Sequence, residues 1–337
     1  MGAISCYTPI EYGDLPVPRR NLYHDKCFNK YYEYTTIKGH NNWISYMLIL
    51  QNGFLASSSY DNTINIYDIL SLKVRLKIKI HTNIIHFITQ IKDGRLISCS
   101  SDKTFQIIKL ENNCLKYTID QTIKEHNDSI YKVIELENGL LISTSSDQSM
   151  RIYKKSEEKE SYYCIRSITD YFNNSNGAEC LLQVNDNEFI SSSFSDKNIK
   201  FWNINTFDKT FTIENIKCAD KPNCICKIDN EYFCIVGWGG IYLFHTQTYT
   251  LIQTFRPNLH IFNCIFPLRD GTFLTSEYYG PFQHPYGDIQ QWEIDEINRS
   301  IKSISFKQNP HNNQISSFVQ FLNGDIASCG DDIKIWK

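Results

Sequence analysis

The sequence predicts an all-β chain folded as a seven-bladed β-propeller of four-stranded antiparallel blades. Three observations predict this fold. A set of His, Gly and Ser recurs with fixed spacings, Asn-Gly or Asp-Gly pairs separate apolar runs, and one strand pattern returns seven times. A ring grows by adding blades, so one domain accounts for most of the 337 residues, although that length alone would favour two.

The fixed spacings occur in four places along the chain. The step from His to Gly is 13 residues and the step from Gly to Ser is 4. Four copies of two spacings indicate repeats of one structural unit. The copies are His40–Gly53–Ser57, His81–Gly94–Ser98, His126–Gly139–Ser143 and His311–Gly324–Ser328.

Each repeat contains the pattern of a four-stranded sheet. A run rich in β-forming residues follows the His, as in ISYMLIL at 44–50, and a pair such as Asn52-Gly53 ends it. Such pairs favour hairpins because both residues tolerate positive φ. A second strand, an Asp-containing turn and a third strand such as NIKFWN follow, before a more variable fourth strand. The large third-strand residues are Tyr67, Ile108, Tyr153, Trp202, Phe244, Trp292 and Trp336.

The two ends of the chain predict how the ring closes. The sequence stops one residue after Trp336, so the last blade has three strands, whereas residues 28–40 read as a fourth strand that leads into His40. Because an unpaired sheet edge invites aggregation, we expect the N-terminal strand to complete blade 7. Residues 1–24 are predicted to be an N-terminal extension, and residues 25–337 a single propeller domain.

Several of these stretches resemble the WD-repeat (β-transducin-like) family. The residues that carry the resemblance are Gly39-His40, LASSSYDNTINIYD at 55–68, LISTSSDQSMRIYK at 141–154, FSDKNIKFWN at 194–203 and IASCGDDIKIWK at 326–337. The resemblance covers residues 30–337 and is specific for blades 1 to 4 and 7. Blade 5 departs from it, with Gly237-Trp238-Gly239-Gly240 in place of the Asp turn, and blade 6 carries an insertion there.

The resemblance implies a structural role for the repeated His, Ser and Asp residues. In the family they form a buried hydrogen-bond network with the third-strand Trp. A Ser, a His and an Asp are also the parts of a hydrolase triad, but the set recurs in several blades, whereas an enzyme needs one active site. We therefore predict no catalytic residue. The predicted network is His40, Ser57, Asp61, His81, Ser98, Asp102, His126, Ser143, Asp147, His311, Ser328 and Trp336, and only blade 7 combines His311 with Ser328, Asp331 or Asp332, and Trp336.

The resemblance also implies that a peptide binds on the face that carries the turns between second and third strands. The aromatic or imidazole candidates on that face are Trp43, Tyr60, His86, Tyr131 and Phe194. In blade 6 the step from Thr275 to Ile289 is 14 residues, against 7 from Ser57 to Ile64 in blade 1. The extra residues predict either a self-packed loop or a partner-binding loop, with Tyr278, Tyr279, Phe282, His284 and Tyr286 as contacts.

The cysteines predict no metal site and no cofactor. Cys218, Cys224, Cys226 and Cys234 lie close together in sequence, but they lack the C-x-x-C spacing of common zinc sites. Small apolar residues of a sheet core are the simpler interpretation. The twelve cysteines show no compact framework of paired spacings, so we expect free thiols in a reducing compartment.

The net charge and the N-terminal sequence limit the kinds of partner that the chain is expected to have. The formal net charge is -3, which gives no support for nucleic-acid binding. Neither a signal peptide nor an apolar run long enough to span a bilayer is present, so we expect a cytoplasmic protein, with the nucleus left open. Met1-Gly2 with Cys6 is a partial match to an acylated N-terminus, which would add a membrane anchor.

The leading hypothesis from the sequence is a non-catalytic scaffold that binds other proteins or peptides, within a complex. The alternative is a membrane-tethered adaptor that acts through acylated Gly2 and Cys6. The third hypothesis is that the propeller is an enzyme.

Overall fold

The chain was analysed as a computed structural model, which describes residues 31–169, 180–192, 198–213, 221–256, 261–279, 284–295, 298 and 300–337. The side chains of residues 221, 278, 279, 284–286, 306, 308 and 309 are not part of that description. The N-terminal extension and the acylation residues Gly2 and Cys6 lie outside the described residues. No helix long and apolar enough to cross a membrane occurs among the described residues.

The described residues form 28 strands. The first seventeen are β1 (Glu33–Ile37), β2 (Ile44–Ile49), β3 (Leu55–Ser59), β4 (Ile64–Asp68), β5 (Lys73–Ile78), β6 (Ile85–Gln90), β7 (Leu96–Ser100), β8 (Phe105–Glu111), β9 (Lys116–Ile123), β10 (Ile130–Glu135), β11 (Leu141–Ser145), β12 (Met150–Lys155), β13 (Tyr162–Ile168), β14 (Cys180–Asn185), β15 (Glu188–Ser192), β16 (Ile199–Asn203) and β17 (Lys209–Ile213). The others are β18 (Lys221–Lys227), β19 (Tyr232–Trp238), β20 (Gly240–His245), β21 (Leu251–Phe255), β22 (Ile261–Pro267), β23 (Phe273–Tyr279), β24 (His284–Asp295), β25 (Ser300–His311), β26 (Ser317–Gln320), β27 (Ile326–Cys329) and β28 (Ile333–Trp336).

Within the described residues these strands make five four-stranded antiparallel sheets and one larger sheet. Four sheets follow the chain: sheet 1 (β2–β5), sheet 2 (β6–β9), sheet 3 (β10–β13) and sheet 4 (β14–β17). The eight-stranded sheet contains two sets of four strands, β18–β21 and β22–β25. A single residue pair, Trp238 with Ile261, joins the two sets. The terminal sheet has the order β1-β28-β27-β26, so the first described strand lies beside the last. The fold is all-β and propeller-like, as predicted.

The hairpin turns form where the sequence places its Asn-Gly and Asp-Gly pairs. In sheet 2, Gly94 has a φ of 88° and donates its N–H to the carbonyl of Ile91 at 2.9 Å. Only glycine adopts that backbone without strain, which explains the fixed glycine of each repeat. The connection of β19 to β20 is tighter still, because a Cβ on Gly240 would overlap the carbonyl oxygen of Phe255. Blade 5 therefore replaces the Asp turn by glycines.

The apolar core lies between neighbouring sheets. One buried cluster combines Leu48 of sheet 1 with Phe87 of sheet 2 and Val133 of sheet 3. Another combines Ile37 of β1 with Met47 of sheet 1. Each sheet buries both of its faces against neighbouring sheets. The second strands therefore consist of apolar or small residues throughout, without an alternation of apolar and polar residues.

Two sequence expectations need correction. The insertion between Thr275 and Ile289 is not simply a loop, because β23 continues to Tyr279 and β24 begins at His284, where these two residues pair. The extra residues therefore lengthen a hairpin. The expectation of free thiols is wrong for Cys224, which is disulfide-bonded, whereas Cys226 and Cys234 are buried thiols. No group of three or more metal-binding side chains occurs among the described residues.

Candidate functional site

The repeated His, Ser and Asp side chains meet in sheets 1, 2 and 3. In sheet 2, His81 Nε2 lies 2.7 Å from Ser98 Oγ, and His81 Nδ1 lies 2.8 Å from a carboxylate oxygen of Asp102. Equivalent distances in sheet 1 join His40 to Ser57 (2.7 Å) and to Asp61 (3.1 Å). In sheet 3 they join His126 to Ser143 (2.6 Å) and to Asp147 (2.9 Å). Each set ties the loop before the first strand to the second strand and the following turn.

The carboxylates of these sets are held ionised by several donors. Asp61 accepts hydrogen bonds from the N–H of Asn41 and from the N–H and hydroxyl of Thr63, beside His40. Burial alone would raise the pKa of Asp61, but the hydrogen bonds from Thr63 and Asn41 and the adjacent His40 lower that pKa to about 2. The pKa values of Asp102 and Asp147 are lowered in the same way.

The same distances would suit a hydrolase triad, but the position of the serines does not. Ser57, Ser98 and Ser143 have no exposed surface, because each lies in a second strand between two neighbouring strands. A nucleophile must contact the reacting carbon of its substrate. What these three arrangements accomplish is the pairing of buried polar groups.

The network of the terminal sheet differs from the one that the sequence predicts. His311 Nε2 lies 2.6 Å from Ser328 Oγ, and Trp336 donates its indole N–H to the same oxygen at 2.9 Å. Neither Asp331 nor Asp332 lies within hydrogen-bonding distance of His311, so that part of the prediction is wrong. Three residues separate the paired Cys329 and Ile333 of β27 and β28, against five between the paired Ser58 and Ile64 of sheet 1, and no carboxylate reaches the imidazole.

Because it lacks a carboxylate partner, His311 should make stability depend on pH. Burial, with the Lys334 charge nearby, lowers the pKa of His311 to about 3, whereas an unfolded histidine titrates near 6.5. The unfolded chain therefore takes up a proton first as the pH falls below about 6.5, and stability is lost from there towards pH 3. Between pH 7.5 and 5 the deficit in unfolding free energy of His311→Gln, relative to the unmodified protein, should shrink by about 2 kcal/mol.

Urea denaturation at each pH measures this effect. Asn313→Ala is the control, because it changes the same loop but removes no titrating group. A deficit of His311→Gln that stays constant over this pH range would contradict the prediction.

Three of the predicted partner-binding residues form one aromatic cluster. His86 lies between two tyrosines, with its ring centroid 6.3 Å from that of Tyr60 and 5.3 Å from that of Tyr131. The rings meet edge to face, at 82° and 62°. The three residues belong to sheets 1, 2 and 3, so the cluster crosses three neighbouring sheets. We call Tyr60, His86 and Tyr131 the aromatic strip.

A β-bulge and a serine fix each of the two strip residues that lie in first strands. The pairing of β6 with β7 shifts between Ile85 and Phe87, and that of β10 with β11 shifts between Ile130 and Lys132. His86 and Tyr131 occupy these bulges, which turn a side chain out of the regular alternation. His86 Nε2 lies 2.6 Å from Ser101 Oγ, and Ser146 donates its hydroxyl to Tyr131 at 2.7 Å.

Residues 32–68 match the WD domain, G-beta repeat family. This range begins before β1 and ends with β4, and it contains Gly39, His40, Ser57 and Asp61, the residues from which the repeat was recognised. This segment of the chain is therefore a WD repeat. A comparison with curated proteins gave no match.

The remaining predicted partner-binding residues do not join the strip. The half-buried Trp43 precedes β2 at the same end of the sheets, where its carbonyl accepts the N–H of Tyr60, but its ring contacts none of the three strip rings. Phe194 and Phe282 lie outside the described residues. Tyr278, Tyr279, His284 and Tyr286 lie in β23 and β24, with side chains outside the description, so their predicted role stays a prediction.

Sequence reasoning did not select three residues of this face. Ser101 and Ser146 position His86 and Tyr131, and their common signal is that each directly precedes the Asp of its repeat. Trp238, 40 % exposed, ends β19 at the turn between second and third strands. A tryptophan followed by Gly239-Gly240 was noted as a departure from the repeat, although an exposed tryptophan is also a signal of binding.

Proposed function

We propose that this chain is a non-catalytic protein-interaction platform, and that its partner binds on the face that carries the aromatic strip. WD40 repeats are generally protein-interaction scaffolds. The observation that carries the proposal is the contact of Tyr60, His86 and Tyr131 across three sheets. Aromatic side chains that a rigid scaffold holds in place lose little conformational freedom on binding, so they are suited to be the centre of an interface.

We infer that the scaffold is a ring of seven blades. The eight-stranded sheet then represents two blades, β18–β21 and β22–β25, which meet at a single residue pair. Contacts between first strands support this interpretation: β2 contacts β6, and the series continues through β10, β14, β18, β22 and β26 back to β2. The pairing of β1 with β28 supplies the fourth strand of the last blade. Residues 25–337 would then form one domain.

The absence of catalysis is part of the proposal. The Ser–His–Asp sets recur, and their serines are buried, which supports a structural role for all of them. The strip itself contains two phenols and one imidazole. Burial lowers the pKa of His86 to about 4, so this imidazole stays neutral at physiological pH and would accept a proton only weakly as a general base.

Quantitative affinity purification from the protein's own cells tests the proposed surface. The variant Tyr60→Ala with Tyr131→Ala should lose the principal co-purifying proteins by tenfold or more, because hot-spot side chains each contribute about 2 kcal/mol or more. The matched control is Lys159→Ala with Leu322→Ala, which replaces two exposed residues in turns at the opposite end of the sheets.

Both variants must unfold at temperatures close to that of the unmodified protein for the comparison to hold. Equal recovery of partners by the two variants would contradict the proposal. Loss of partners only in the control would place the interaction on the opposite face.

A further inference from the structure

A carboxylate accompanies each ring of the aromatic strip. Tyr60 directly precedes Asp61 in the chain. His86 is bound to Ser101, which directly precedes Asp102, and Tyr131 to Ser146, which directly precedes Asp147. Each member of the strip, or the serine bound to it, is thus followed in sequence by an aspartate, and the lowered pKa values of the three aspartates keep them ionised at neutral pH.

The loops around the strip are acidic as a whole. Residues 59–63, 81–86, 101–104, 126–131 and 146–149 contain Asp61, Asp102, Asp128 and Asp147 but a single cation, Lys103. Lys77 of β5 also belongs to this surface, because its ammonium group lies 3.8 Å from a carboxylate oxygen of Asp61. With the imidazoles counted as neutral, the formal charge of this surface is 2 − 4 = −2. Asp128 is exposed, whereas the side chains of Asp61, Asp102 and Asp147 are 9 %, 11 % and 8 % exposed. An excess of one sign on a surface attracts ligands of the opposite sign.

Polar atoms of the strip also remain available to a ligand. Within the part of the chain that the structure describes, no side chain or backbone group hydrogen-bonds to the hydroxyl of Tyr60. The imidazole of His86 uses Nε2 for Ser101, and no other described group hydrogen-bonds to its Nδ1. A neutral ring in the centre of the strip adds no positive charge that would repel a cation.

We propose that the ligand is a basic peptide, which places a Lys or Arg side chain over the aromatic strip. The tyrosine faces attract such a cation when it lies within about 6 Å of a ring centroid. The carboxylates beside the rings add long-range attraction, and the hydroxyl of Tyr60 accepts a hydrogen bond from the ammonium or guanidinium group. This inference rests on the proposed function and specifies the chemistry of the partner.

An acidic partner fits the same surface poorly. A carboxylate or phosphate placed there meets four aspartates and two lysines, and like charges brought together at an interface are repelled. The same argument disfavours a nucleic acid on this surface, since the nucleic-acid backbone requires a surplus of Lys or Arg.

Selection from a random nonapeptide library, followed by sequencing of the bound pool, tests the inference. The library is offered to the full-length protein in 50 mM and in 300 mM NaCl. We expect the ratio of Lys and Arg to Asp and Glu in the bound pool to exceed that of the input about threefold or more at low salt. Because exposed charges are screened over about 10 Å at 0.1 M salt, the enrichment should decrease at 300 mM.

Variants separate the role of the rings from that of the charges. Tyr60→Leu with Tyr131→Leu removes the aromatic faces and should abolish the enrichment, and Tyr60→Phe should lose less than Tyr60→Leu. For the best selected peptide, replacing its Lys or Arg by Gln should weaken binding about 3- to 30-fold. Asp128→Asn keeps the side-chain oxygen that accepts the Ser129 N–H, so it isolates the charge. It should weaken the basic peptide about 2- to 5-fold and the Gln peptide much less.

The outcomes distinguish this inference from the function on which it rests. A pool without basic bias that still depends on the tyrosines would overturn the basic ligand and keep the interaction surface. If no peptide is enriched, or the enrichment is indifferent to the tyrosine variants, the proposed surface fails together with the inference. If the leucine variants do not fold, Tyr60→Phe and Asp128→Asn still test whether the strip binds a basic peptide, because both substitutions are conservative.

Discussion

Replacing Asp102 by Ala should lower the free energy of unfolding by about 3–5 kcal/mol. Its carboxylate accepts four hydrogen bonds: from His81 at 2.8 Å, from the N–H of Thr82 at 3.1 Å, and from the N–H and hydroxyl of Thr104 at 3.1 and 2.6 Å. Alanine would leave all four donors without this acceptor, at a site where only 11 % of the side chain is exposed. An unsatisfied donor costs about 1–3 kcal/mol when water cannot replace its partner.

The pH dependence of this loss follows from the lowered pKa of Asp102. An unfolded aspartate takes up a proton near its pKa of about 3.9. In the folded state the carboxylate of Asp102 is still ionised at that pH, because its pKa is lowered. The contribution of Asp102 is therefore fully present above about pH 4 and is lost as the pH falls further. The difference between Asp102→Ala and the unmodified protein should therefore shrink as the pH falls below about 4.

Asp120→Ala is the matched control for Asp102→Ala. Asp120 belongs to β9 of the same sheet, is 30 % exposed, and has one ionic contact, to Arg95 at 3.7 Å. A surface ion pair of this kind contributes about 0–1 kcal/mol. Chemical denaturation of both variants gives the comparison. Equal losses for the two substitutions would mean that the repeated network does not stabilise the sheets.

Most of the fold was predictable because the repeat depends on interactions between residues that are close in sequence. The hairpin at Asn52-Gly53 follows from the positive φ that glycine tolerates, and the pairing of His40 with Ser57 and Asp61 follows from spacings that recur in three sheets. Each of these features depends on a few adjacent residues or on the fixed length of a hairpin. Sequence alone therefore suffices for them.

The predictions that failed depend on turn length and on strand irregularity. His311 lacks a carboxylate because the turn to β28 is two residues shorter than its counterpart in sheet 1, which moves Asp331 and Asp332 out of reach. His86 and Tyr131 were selected as candidate contacts on one face, but their contact with each other depends on β-bulges that no local residue signal reveals. A bulge is a property of two paired strands, so it becomes visible only when their register is known.

The N-terminal strand provides the second large expected effect, through Ile37→Asp. Ile37 is 6 % exposed, pairs with Ile333 and belongs to the buried cluster that joins the terminal sheet to sheet 1. A carboxylate there would be buried among apolar side chains, so we expect a loss of 4 kcal/mol or more in the free energy of unfolding, at about the upper limit for single substitutions. Release of β1 would also expose the edge of β28, and an unpaired edge favours aggregation.

Tyr34→Asp separates this effect from a general intolerance of charge in β1. Tyr34 lies in the same strand but is 51 % exposed, and its ring faces the ammonium group of Lys337 at 3.5 Å. An aspartate there would still meet Lys337, so the variant should stay within about 1 kcal/mol of the unmodified protein and remain monodisperse. Thermal melting and size-exclusion chromatography measure both properties. If Ile37→Asp behaves like Tyr34→Asp, then β1 does not hold the terminal sheet together, and the closed seven-blade ring that depends on this strand must be abandoned.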